Sequence, residues 1–86
     1  MKFKIYEYHW MDHYHNSSWI EPTTNDLPAM VITGVGILVR RDKNYLYFTE
    51  GIQSDGDKYN GVMAVMKKNI TYMNQIGTVD TSKYKV

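Results

Sequence analysis

The clearest alternation in the chain runs from Ala29 to Arg41. Val31, Thr33, Val35, Ile37 and Val39 fall on one face, and Met30, Ile32, Gly34, Gly36 and Leu38 on the other. That two-residue period is the signature of a β-strand. Two glycines at i and i+2 on one face predict a sharp bend or a close backbone approach. Arg41–Asn44 then reads as a tight hairpin turn, and Tyr45 to about Ile52 as the return strand. Upstream, Lys2 to about Met11 predicts a first strand with Phe3 and Ile5 on one side and Lys4, Tyr6, Tyr8 and Trp10 on the other. The Phe3/Ile5 side turns polar at Glu7 and His9, so the buried face is expected to switch along this strand through a bulge or strong bend.

The remaining elements are shorter. Residues 12–27 read as a loop, with Asn16-Ser-Ser and Pro22-Thr-Thr-Asn-Asp26 as breaker clusters and Trp19-Ile20 as a short strand or anchoring turn within it. Gln53–Asn60 is a polar loop, Gly61–Met66 a fourth strand, Lys67–Asn69 one 3-10 turn and Ile70–Ile76 a fifth strand. After Gly77 the chain is polar, a frayed tail or an edge strand. Nowhere does a 3.6-residue apolar spacing persist long enough for a helix. Eight tyrosines against two alanines fit strands as well. The prediction is one all-β domain over 1–77, a small five-stranded SH3-like or Sm-like barrel with a 3-10 turn before its last strand. Residues 78–86 form the tail or edge, and an open antiparallel sheet is the rival architecture.

Length and charge narrow the function. Eighty-six residues bury roughly 60–65% of the unfolded chain's surface. With no cysteine for a disulfide or thiolate zinc site, such a domain gains from oligomerising. Ten basic and nine acidic residues, net +1, argue against general nucleic-acid binding. No apolar run reaches the roughly 18–20 residues of a membrane helix. Charge and tyrosine interrupt the first residues at once, so neither a signal peptide nor a membrane partner is expected.

Candidate chemistry clusters at the start. The first nineteen residues hold half of the aromatics, both tryptophans and all three histidines. His9, Asp12, His13 and His15 are possible metal ligands. Read on a strand or loop, however, they do not share one face, so structural histidines are the expectation and no metal or other cofactor is assigned. No serine, threonine or carboxylate stands in a nucleophile motif, which favours binding over catalysis. Trp10, Trp19 and the nearby tyrosines could stack on flat ligands, Trp10 reading more as core or pocket wall. Arg40-Arg41 and Lys67-Lys68 are the only adjacent basic pairs, able to meet phosphate or to lie solvated in turns.

Taken in order, Trp10-Met-Asp12, Trp19, Val35-Gly-Ile-Leu-Val39, Tyr45-Leu-Tyr-Phe-Thr49 and Val65-Met-Lys-Lys-Asn-Ile70 resemble a group of small proteins of tailed bacteriophages. Met66 stands where that group has proline and Ile37 where it has an aromatic residue; the Asp12-His-Tyr-His15 stretch is particular to this chain. The resemblance implies a compact β fold, a host-cytoplasmic location and action by binding. Its sharpest form is a homo-oligomeric counter-defence sponge that sequesters an anionic nucleotide-type ligand. Trp10 and Trp19 would then stack, and Arg40 and Lys67 would meet phosphate. Asp12 and His13 would stand at the ligand, Asp12 holding an imidazole or backbone amide in place or bonding a base or ribose edge. The alternative is a protein–protein module that inhibits a host protein; a metal-dependent hydrolase on the histidines is a third class.

Overall fold

The computed structural model describes residues 1–13, 29–53 and 58–82, with the side chains of 12, 13, 29 and 30 excepted. Seven strands follow in chain order: β1 (Lys2–His13), β2 (Ala29–Arg41), β3 (Tyr45–Thr49), β4 (Gly51–Ile52), β5 (Tyr59–Asn60), β6 (Met63–Met66) and β7 (Ile70–Asp80). A 3-10 turn, Lys67–Asn69, joins β6 to β7. Five strands form one antiparallel sheet in the order β6-β3-β2-β1-β7, and β4 and β5 pair separately. The fold is therefore all-β, and the two edge strands of the main sheet are consecutive in the chain. Among the described residues no helix is long and apolar enough to cross a membrane.

The inner face of the sheet is built over the two glycines of β2. Tyr8 on β1 lies opposite Gly34, and its ring reaches across β2 to stack on Phe48 of β3, with centroids 4.1 Å apart and planes 13° from parallel. A Cβ at Gly34 would stand 2.8 Å from the Tyr8 ring, and one at Gly36 would stand 2.8 Å from the Phe48 Cβ. The glycines thus leave a bare backbone track on which two aromatic rings from flanking strands can meet. Leu38, Leu46 and Val65 complete the buried core, and Tyr6, Trp10, Ile70 and Met73 pack against it.

The face of β1 does not switch. Its register with β2 is continuous from Lys4↔Leu38 to His13↔Ala29, and Tyr6, Tyr8 and Trp10 all stay on the core side. The irregularities fall instead on the β1–β7 pairing, where Thr71 and Ile76 of β7 are the extra residues. Glu7 and His9 break the apolar pattern because they lie on the outer face, where His9 tilts against Tyr72 at 4.8 Å. The expected third strand is also interrupted. Thr49, fully buried, donates its hydroxyl to the Asn60 carbonyl at 2.6 Å, with the Gly51 carbonyl at 3.0 Å, and the chain leaves the main sheet there. At the other end β7 runs past Ile76 to Asp80, so the start of the polar tail is an edge strand, paired through Phe3↔Val79 and Lys2↔Asp80.

Asp42 shapes the β2–β3 turn. Its Oδ1 accepts the backbone N–H groups of Asn44 (3.0 Å) and Tyr45 (2.8 Å), and its Oδ2 accepts the Tyr47 hydroxyl (2.7 Å). The Tyr47 bond first, then the two amides, hold the Asp42 carboxyl below the usual range. A depressed folded pKa stabilises the fold above the unfolded value of about 3.9 and ceases to do so as pH falls through the folded value. Asp42→Asn is expected to flatten the acid limb of the stability curve below about pH 4. Thermal unfolding of both proteins across that range checks this; a stability gap that stays constant from neutrality into acid would contradict it.

Candidate anion-binding surface

Seven of the eight described lysines and arginines, all but Lys58, border two cavities near the β2–β3 turn. Lys2 and Lys4 at the start of β1 border a cavity of about 370 Å³ with Arg40 and Arg41 at the end of β2. Across the adjoining turn, Lys43, Lys67 and Lys68 border a second cavity of about 420 Å³, together with Asn44, Tyr45 and Met66. The backbone N–H of Lys67 donates to the Asn44 carbonyl at 2.8 Å, which fastens the 3-10 turn to the hairpin. Among the described residues none of these lysine or arginine side chains makes an ion pair. Among the described residues two carboxylates share this end. Asp42 is engaged in the turn. Asp80 binds Ser82 and lies 3.9 Å from the amino terminus. Among the described residues, Glu7, Glu50 and Lys58 border neither of these two cavities.

A bulge aims Arg40. Leu38 pairs with Phe48, Val39 is skipped, and Arg40 pairs with Tyr47. In an unbroken ladder Arg40 would face Leu46 and point at the core; one extra residue moves it to the outer face. Its guanidinium carbon lies 5.3 Å from the Tyr47 ring centroid, a cation–π contact. Tyr47 in turn lies 6.3 Å from Tyr45, whose side chain lines the lysine cavity. The result is a strip on one surface: Arg40, Tyr47, Tyr45, then the lysines. The Asp42 bond and nearby charge raise the Tyr47 hydroxyl pKa, so that ring stays neutral and fixed.

Of the six residues expected at a ligand, the structure describes the side chains of three, Trp10, Arg40 and Lys67, and these line three different cavities. Arg40 and Lys67 stand at opposite ends of this strip. Trp10 is half-buried elsewhere, lining a cavity of about 220 Å³ with Tyr8, Gly34, Phe48, Met63 and Glu50 and no cation. Asp12 and His13 close β1 as backbone partners of Met30 and Ala29; their side chains, and the whole of Trp19, lie outside the described residues, as does His15. Among the described residues no group of three His, Cys, Asp or Glu side chains is placed to hold a metal. Tyr45 and Tyr47 were legible only as strand residues. Their spacing of two puts them on one face, and that alternation next to Arg40-Arg41 was the available signal. No protein-family model matches the chain, and neither a curated protein nor a solved structure does.

Proposed function

We propose that this chain is a non-enzymatic binding protein that takes up an anionic nucleotide-type ligand at its cationic end. In its sharpest form it is a phage counter-defence sponge working in the host cytoplasm. The observation that carries the ligand class is the Tyr45–Tyr47 pair bracketed by Arg40 and by Lys43, Lys67 and Lys68. Tyrosine offers a flat face to a base, lysine a point charge to phosphate, and stacked arginine keeps its in-plane N–H fork free for phosphate oxygens. The phage assignment rests on the motif order alone.

A small SH3-like or Sm-like barrel belongs to the same reading. Three residues of 3-10 turn, rising about 2 Å each, carry the chain from one edge strand to the other. The ends of β6 and β7 are then within about 10 Å of each other, which a flat five-stranded sheet with strands about 4.8 Å apart does not allow.

Binding is tested with a fluorescent N-methylanthraniloyl derivative of adenosine triphosphate. Stoichiometric uptake without a hydrolysis product is expected, weakened about tenfold in Lys67→Ala and in Tyr45→Ala, the order of one charge-assisted bond or one stacked base. No uptake at millimolar probe, together with a protein that carries no added mass in native mass spectrometry when purified from cells, would remove the reading.

Assembly is proposed through the outer face of β1, β2 and β7. Met11, Val31, Val35, Tyr72 and Ile76 are exposed, and Phe3, Ile5, Ile37 and Val79 only half-buried. Three strands about 4.8 Å apart over about ten residues make on the order of 500 Å² of flat area, which side-chain relief raises toward the roughly 600–800 Å² per partner of a stable dimer. A second copy supplies a matching face, with Glu7, His9 and Thr33 among its apolar residues. Val35→Lys, outward and 62% exposed in the single chain, is expected to leave the fold intact and convert the assembly to monomer by sedimentation. A wild-type monomer would refute the shared face and favour a host-protein partner or the chain's own loop there.

A further inference from the structure

We infer that the ligand of the cationic end carries at least two phosphate-linked nucleotide units, a short single-stranded oligonucleotide rather than a mononucleotide; this rests on the nucleotide reading above. The strip has two cationic ends. At one, Lys43, Lys67 and Lys68 surround a cavity of about 420 Å³ walled by Tyr45. At the other, the Arg40 guanidinium carbon lies over Tyr47, 5.3 Å from its centroid, with a tyrosine-to-tyrosine step of 6.3 Å between the two ends. A single phosphate whose base stacks on Tyr45 reaches the lysines and leaves Arg40 idle. A second nucleotide fills the length of the tyrosine pair and brings its phosphate to the guanidinium fork, which the stacking on Tyr47 has already oriented.

Arg40 also borders the next cavity, of about 370 Å³, with Arg41, Lys2 and Lys4, which by register lie on the core side of their strands. Stacking on tyrosine needs an unpaired base, which selects a single strand over a duplex. Among the described carboxylates, Glu7 and Glu50 border neither lysine nor arginine cavity, Asp42 is occupied by the turn and Asp80 by Ser82.

The test is fluorescence anisotropy with fluorescein-labelled thymidine oligonucleotides of two, four and eight units, with thymidine monophosphate and a blunt duplex as competitors. The tetranucleotide is expected to bind at least about tenfold more tightly than the monophosphate, one further charge-assisted contact being worth that much. The duplex is expected to compete poorly. Arg40→Gln should bring the ratio of tetranucleotide to monophosphate affinity close to one, whereas Lys67→Ala should weaken both ligands. Far-ultraviolet circular dichroism confirms that each variant is folded. Equal affinity for monophosphate and tetranucleotide, or an Arg40→Gln protein that keeps the full ratio, overturns the oligonucleotide inference and leaves the nucleotide reading standing. If no probe binds, both fall together.

Discussion

Phe48→Ala is expected to cost about 3–5 kcal/mol. At roughly 0.05–0.15 kcal/mol per residue, that is about a quarter or more of what an 86-residue chain can hold. Phe48 is 2% exposed, stacks on Tyr8 and takes the edge of Tyr6 at 6.4 Å. Only five apolar side chains among the described residues are buried. The cavity left by the ring therefore has few neighbours able to move in, and both tyrosines lose a wall. Urea unfolding followed by tryptophan fluorescence gives the number. Phe48→Leu, which refills part of the volume, should recover about half of the loss. A Phe48→Ala protein within about 1 kcal/mol of the parent would mean that the stacked pair is not the centre of the core.

The second large effect comes from adding atoms rather than removing them. Gly36→Val is expected to destabilise by about 3 kcal/mol, at or beyond the upper end for overpacking. The new Cβ would stand 2.8 Å from the Phe48 Cβ, an atom rigidly attached to the β3 backbone. Every residue except glycine has that Cβ, so no substitution at 48 that keeps a side chain can relieve the collision. Gly34 is different. A Cβ there meets the far end of the Tyr8 ring, at Cζ and the hydroxyl. Tyr8→Leu withdraws those atoms, so Gly34→Val in that background should cost at least about 1 kcal/mol less than in the parent. A double-mutant cycle separates the two cases: coupling at Gly34 with Tyr8, none at Gly36 with Phe48→Leu. Coupling of the same size in both pairs would contradict the distinction between a ring tip and a backbone-fixed atom.

These two glycines also mark how far the sequence could be read. Their spacing on one face predicted a close approach, and the alternation around them placed β2 at Ala29–Arg41, the limits observed. The 3-10 turn at Lys67–Asn69 was equally legible, because a polar triplet interrupts two apolar runs. What arrives from the opposite side of the glycine track was not. Tyr8 and Phe48 are forty residues apart, and only the register of three strands brings their rings together. The polar end of β7 gave no strand pattern of its own; Thr78–Asp80 is held by pairing with Lys2–Lys4, a partner at the other end of the chain. The face of β1 was misjudged for a related reason. Glu7 and His9 looked like a change of side, whereas the outer face simply mixes polar and apolar residues, and the bulges belong to β7.

The candidate site divides along the same line. Arg40 and Lys67 could be named as candidate cations for a phosphate because residue type alone suggests it. That Tyr45 and Tyr47 stand between them depends on one skipped residue, Val39, and on a single backbone hydrogen bond from Lys67 to Asn44. Neither has a sequence signature. The aromatic density near Trp10 drew attention instead, yet that ring packs on the core beside a cavity without cations.

The pairing of β1 with β7 has a kinetic side. β2, β3 and β6 each add to a neighbour close in sequence, so that half of the sheet can assemble from local hairpin contacts. β7 pairs with β1 across most of the length of the chain, and a contact of such sequence separation forms slowly relative to a hairpin. During that interval β1 is a temporary border. It presents a row of unpaired amides and carbonyls nearly its full length, flanked by Phe3, Ile5 and Met11. Such a border accepts a strand from any passing copy as readily as its own β7. Refolding yield should therefore fall as protein concentration rises, and the loss of a few residues from β7 would make the temporary border permanent.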